Sequence, residues 1–162
     1  MQQQSESQSQ LTGNLLLLLA GLAALGSLAT NIILPAFPDM AGELGTSVKD
    51  LSATLASFFV AFAVGQLFVG PLSDRFGRKW LVMSGLTVFV AGSVLCALAG
   101  SLSQLIVGRI VQALGVCATS VLSRAIARDL FAGEALARAL SLIMVAMAAA
   151  PGFSPLLGGA LN

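Results

Sequence analysis

The chain has 162 residues, eight basic and seven acidic side chains, a net charge of +1 and no histidine; 57% of it is apolar and its mean hydropathy is +0.94. That balance describes an integral membrane protein rather than a soluble domain. It leaves no basic surface for nucleic acid, and it lacks both the usual general base and the commonest metal ligand, so neither an enzyme, a metal site nor a cofactor is expected.

Residues 1–13 open with MQQQSESQSQ, polar and low in complexity, and composition predicts a disordered tail. An uncharged stretch follows over 14–38. About 20 apolar residues rising ~1.5 Å each cross a hydrocarbon core of ~30 Å, which predicts a spanning helix over about 14–36. The competing reading is a cleaved signal peptide, but no Lys or Arg precedes Leu15 and the apolar run continues past Leu34, which favours a retained helix. Asp39, Glu43, Lys49 and Asp50 form the next charged segment, ahead of a second span over 51–71. Gly70 to Lys79, GPLSDRFGRK, then joins spans two and three, with Gly70 and Gly77 allowing tight backbone turns. A third span covers 80–99, an uncharged turn 100–103, and a fourth span 104–125. Arg124, Arg128, Asp129, Glu134 and Arg138 lie around the last connection, and a fifth span covers 137–160. Cys96 and Cys117 sit in apolar runs without CxxC spacing and read as small buried hydrophobes.

Short cytoplasmic loops retain Lys and Arg. Arg75, Arg78 and Lys79 therefore place one connection inside, and Arg124, Arg128 and Arg138 another. The N-terminus is then expected in the cytoplasm and the end of span five outside.

Lipid tails are as apolar as Leu, so helices associate where small residues let backbones approach. Gly85 and Gly92 in span three, and Gly108 and Gly115 in span four, lie seven apart. In span five Ala146, Ala150, Ser154 and Gly158 recur every four residues, beside a row of Pro151, Pro155 and Gly159. Both patterns read as close packing, and the prolines equally allow a functional hinge.

Arg109 is the single charge within a span, and such a residue is costly unless it meets a cavity or a polar partner. It lies about five residues, or ~7.5 Å, from the expected outer edge at Gln104, so snorkelling to the headgroups is the alternative. Gln112 is its neighbour one turn on, and Asn31 and Gln66 are its expected partners from spans one and two. No acid lies inside any span, so a proton relay on an intramembrane carboxylate is not expected. In the loop, Asp74 is suited to charge-assisted bonds with a helix N-terminus or an Arg, while Arg75, Arg78 and Lys79 sit at headgroup level. That cluster reads either as a latch or as a topology-setting basic loop. Gly65 and Gly70 have Walker-loop spacing, but Pro71 stands where Lys is required, so ATP-driven transport is unsupported.

Several segments resemble the major facilitator superfamily. GPLSDRFGRK at 70–79 is similar, almost position for position, to the motif between its helices two and three. Arg109 to Gly115 resembles the R-x-x-Q-G signature of helix four in its drug/proton antiporters, with Ala-Leu inserted before the glycine. Ala150 to Gly159 resembles the antiporter motif of helix five, and Asn31 to Pro38 the end of helix one in the bicyclomycin-resistance (Bcr/CflA) exporters. The resemblance implies an all-α integral membrane fold whose five helices form an incomplete N-terminal six-helix bundle. It implies that Asp74, Arg75, Arg78, Arg124, Arg128 and Asp129 form a charge network, with Gly70, Gly77 and Lys79 in the same loop motif. It places Asn31, Arg109 and Gln112 on the substrate or proton pathway, and gives Pro151, Gly152, Pro155, Gly158 and Gly159 a sealing or bending role in helix five. Its function would be proton-coupled efflux of small molecules or drugs by alternating access, across a bacterial inner membrane, with lipid, substrate and protons as partners. Asn31 departs from the pattern, because relatives commonly carry an acid there. The family uses about twelve helices around its pathway, so a truncated chain missing the remaining helices is expected. A small helical partner or regulatory subunit without transport of its own is the alternative.

Overall fold

A computed structural model describes the backbone of residues 2–160 and the side chains of residues 13–152. Six α-helices follow in order: α1 (Gln2–Asn31), α2 (Phe37–Glu43), α3 (Val48–Phe76), α4 (Arg78–Ala97), α5 (Leu102–Leu130) and α6 (Gly133–Ala160). A 3-10 turn, Leu34–Ala36, links α1 to α2, and no strand occurs among the described residues. Five segments are long and apolar enough to cross a membrane, as the charge spacing predicts.

The helices outrun the uncharged stretches. α3 continues through Pro71 to Phe76 and α5 continues to Leu130, because charged side chains at a membrane boundary interrupt burial in lipid without interrupting backbone hydrogen bonds. The expected eight-residue loop is therefore a single-residue corner at Gly77, whose φ of 84° is open to glycine and strained for other residues. Gly70 is not part of a turn; it lies inside α3. Span one ends earlier than expected, at Asn31, and Pro35 and Pro38 then start the 3-10 turn and α2 from positions where a missing N–H costs nothing. At its other end α1 begins at Gln2, so helical backbone covers the polar segment where composition predicts a disordered tail. Ser47 caps α3 and Ser101 caps α5, each accepting a hydrogen bond from the backbone N–H three residues on.

α5 is the axis of the bundle. Within the spans its most apolar window is 67% buried, against 17–28% for the others. α4 lies along one side of it, α3 along another, and α1 packs against both α5 and α6. Leu19, Ala23, Ala127, Ala139 and Ile143 join α1, α5 and α6, while Val69, Cys117, Ala118 and Leu122 join α3 to α5. Phe37, Leu51 and Leu105 close the end at which α3 and α5 begin.

The glycines seven apart set the closest contact. A Cβ on Gly85 would lie 2.7 Å from Ala118 Cβ and 2.9 Å from the Gly115 carbonyl; one on Gly115 would lie 2.7 Å from the Gly85 carbonyl. Backbone therefore meets backbone along α4 and α5, the packing mode that small residues permit in lipid. In α6, Ala150 is buried, whereas Pro151 and Gly152 are exposed. The side chains of Ser154, Pro155, Gly158 and Gly159 lie outside the described residues.

Candidate functional site: the buried guanidinium of α5

Arg109 lies seven residues into α5, about 10 Å along it, and is only 3% exposed. Its side chain turns into the bundle rather than toward the helix end. Nη1 donates to the Ala29 carbonyl at 2.9 Å and to Gln112 Oε1 at 2.8 Å. Ala29 belongs to the last turn of α1, where carbonyls run out of intrahelical donors, so Arg109 caps a negative helix end. The chain of donors continues: Gln112 Nε2 donates to Ser93 Oγ at 2.9 Å, and Ser93 donates to the Phe89 carbonyl at 2.9 Å. Aligned bonds of this kind polarise one another in a low-dielectric interior. The network ties α1, α5 and α4 at one level, and it forms because Gly92 brings α4 directly onto the Gln112 backbone.

Two expected partners lie elsewhere. Asn31 donates to its own helix, at the Ser27 carbonyl 2.7 Å away, and Gln66 is exposed on α3. Asn31 instead lines a cavity of about 290 Å³ with Ser27, Phe58, Phe59, Phe62 and Met147. Phe58 and Phe62 stack there with centroids 6.3 Å apart. A different, open cavity of about 450 Å³ between α1, α4 and α5 holds Arg109, Gln112, Ser93 and Cys96. The residues grouped by sequence as one pathway thus fall into two: Arg109 with Gln112 on one side of α1, and Asn31 on another.

At the far end of α5, Arg78 grips Asp129 with both forks, Nε to Oδ2 and Nη2 to Oδ1. Gly77 makes this possible by starting α4 immediately beside the end of α5. The wider network is not assembled. Asp74, Lys79 and Arg128 are exposed and make no ion pair among the described residues, Arg75 lies 5.5 Å from the Phe76 ring, and Arg124 bonds back to Ser120 of its own helix. Sequence reasoning missed Ser93 and the three phenylalanines. Ser93 was findable as the one hydroxyl adjoining Gly92, the glycine that meets Gln112.

The geometry is that of a polytopic helical membrane protein with a buried cation on its central helix. Residues 19–162 match the model of the Major Facilitator Superfamily, and the chain belongs to that family. It is 40% identical over 89% of its length to an uncharacterized MFS-type transporter of Bacillus subtilis, of which it covers 36%. It is 34% identical over 92% of its length to multidrug resistance protein D of Escherichia coli, covering 38% of that protein. It is 33% identical over 94% of its length to a bicyclomycin resistance protein homolog of Haemophilus influenzae, again covering 38%. The chain therefore spans little more than a third of the length of these relatives.

Proposed function

We propose that the chain supplies the N-terminal helices of a bacterial inner-membrane efflux transporter, which carries small molecules or drugs outward by alternating access in exchange for protons. The observation that carries this reading is Arg109. A charge kept at 3% exposure within a span, on neutral partners alone, is a costly arrangement that a merely structural helix would not need. Relatives named for multidrug and bicyclomycin resistance support drugs or small molecules as the cargo, and outward movement is the direction consistent with resistance.

In this reading Arg109 and Gln112 respond to substrate or proton, and Asn31 with its phenylalanines contributes an apolar wall to the substrate path. With Asn31 in place of an acid, the first span carries no proton-binding side chain, and Arg109, which stays ionised, contributes to coupling through its charge rather than by carrying a proton. The Arg78–Asp129 pair, flanked by Asp74, Arg75, Lys79, Arg124 and Arg128, latches the cytoplasmic face and rearranges as access alternates. Pro151, Gly152, Pro155, Gly158 and Gly159 bend or seal the fifth span against the remaining helices.

The test is export of a fluorescent cationic dye from cells expressing this chain as given, beside a version carried to the end of its reading frame. Export by the longer version alone, stopped by a proton uncoupler and by Arg109→Ala without loss of membrane insertion, supports the reading. Full export with Arg109→Ala overturns the role of that residue. Export by neither version points to a helical membrane partner without transport of its own.

A further inference from the structure

The cavity of about 290 Å³ at Asn31 has two unlike walls. Phe58, Phe59 and Phe62 of α3 make one: Phe58 meets Phe59 edge-on, with centroids 5.9 Å apart, and lies within 9° of parallel to Phe62. Ser27, Thr30 and Asn31 make the other, at a spacing that puts all three on one face of α1. α1 and α3 both pack along α5 rather than on each other, which leaves the space between them. Gly26 lines that space where the walls approach: a Cβ there would rest 3.8 Å from the Phe62 ring and 3.6 Å from Val116, so a bulky side chain at this position would take up the cavity.

Neither wall carries a charge. With Ser120 from α5, the lining offers three hydroxyls and one carboxamide, which can satisfy a polar group but cannot balance an ion. No acid occurs in residues 14–38, 51–73 or 80–128, so the spanning stretches of α1, α3 and α5 hold no counter-charge for a cation. Among the described residues the one charge bonded to the lining is itself positive: Arg124 donates to the Ser120 carbonyl at 3.3 Å and to Ser120 Oγ at 3.4 Å. An ion brought into such a space without a partner loses its hydration for nothing, whereas an aromatic ring gains from packing on other rings. The volume sets the size, since a cavity of about 150 Å³ already admits benzene.

We infer that this cavity selects by charge: it holds one uncharged aromatic group of one or two rings with an amide or hydroxyl edge, the rings toward the phenylalanines of α3 and the polar edge toward Ser27, Thr30 and Asn31. Asn31 is then a specificity-determining residue, because a carboxamide at that position, in place of a carboxylate, leaves a cation without a counter-charge. A cationic cargo must place its charge outside this cavity, on helices beyond this chain, and present only its uncharged aryl portion here. The inference rests on the reading of this cavity as part of a substrate path, and it names what that part of the path accepts.

Three probes of nearly one shape read the selection: 2-naphthamide is neutral, 2-naphthamidine is a cation and 2-naphthoate is an anion. Equilibrium dialysis of radiolabelled 2-naphthamide is made against the protein expressed from its complete reading frame and purified in detergent, with the two ions as competitors. Saturable binding of the amide is expected, with both ions weaker by roughly tenfold or more. Gly26→Leu should abolish that binding by filling the cavity, which separates it from sites on other helices. Asn31→Asp should move the preference toward the amidine by roughly tenfold, through one new charge-assisted pair. No saturable binding of the amide, an ion that competes as well as the amide, or an Asn31→Asp protein with its preference unmoved would each overturn the inference. Should Gly26→Leu fail to fold, Asn31→Asp, which changes charge and hardly changes volume, decides the question. Dye export is read separately: export by a protein that lacks this preference leaves the transport reading standing and removes the inference, and the preference without export does the reverse.

Discussion

Gly92→Ala tests the packing that builds the Arg109 network. The new Cβ would lie 2.6 Å from Gln112 Cα and 2.9 Å from Gln112 Cβ. Carbon atoms rest at about 3.5–4.0 Å, so α4 and α5 must part by roughly 1 Å. Because the obstacle is backbone, no side-chain rotation relieves it. Overpacking of a close-packed core costs about 1–3 kcal/mol. Parting the helices also stretches the 2.9 Å bond from Gln112 to Ser93, worth about 1 kcal/mol. Gly70→Ala is the matched control, since nothing lies within 4 Å of a Cβ there and the residue is equally helical. Both substitutions gain up to about 1 kcal/mol of helix propensity, which cancels in their difference. The expected difference is then about 2–4 kcal/mol, Gly92→Ala being the less stable. Unfolding in mixed micelles, titrated with a denaturing detergent, reads it directly. Two variants within about 0.5 kcal/mol of each other, the scatter of ordinary surface substitutions, would refute the backbone-to-backbone contact.

Three further outcomes follow from the geometry. Gly77→Ala should destabilise the protein by about 1–3 kcal/mol in the same titration, because φ 84° with ψ 149° is a conformation open essentially to glycine alone; unchanged stability would mean that the corner relaxes. Arg78 and Asp129 are 34% and 46% exposed, so a double-mutant cycle should give a coupling below about 1 kcal/mol of stability, and a much larger coupling would show the pair to be desolvated. Cys117 is fully buried between α3 and α5, so a maleimide should leave it unmodified until the helices unfold, and rapid labelling of the folded protein would contradict that packing.

Much of the architecture was legible because it reflects transfer between water and lipid, which depends on composition along the chain. The spacing of charges located all five spans, and the seven-residue spacing of Gly85 with Gly92 and Gly108 with Gly115 announced the α4 and α5 contact. Arg109 and Gln112 could be paired in advance, because residues three apart on a helix are neighbours. Helix ends were less legible: α3 runs past Pro71 to Phe76, losing the one intrahelical bond that proline cannot donate, because the other backbone groups pair within the helix whether side chains meet lipid or headgroups.

What the chain by itself determined, then, is the number of spans, the residues small enough for backbone contact and the presence of one cation within a span, whose burial the structure decided. Only the tertiary structure decided which side of each span faces inward. In a soluble helix the polar face marks solvent and the apolar face marks the core. In lipid both faces are apolar, so nothing along α1 or α3 separates Asn31, turned to the phenylalanine cavity, from Ala29, whose carbonyl holds Arg109, or tells that Gln66 faces away. Those choices rest on which small residues allow two helices to meet, and that is settled between helices rather than along one.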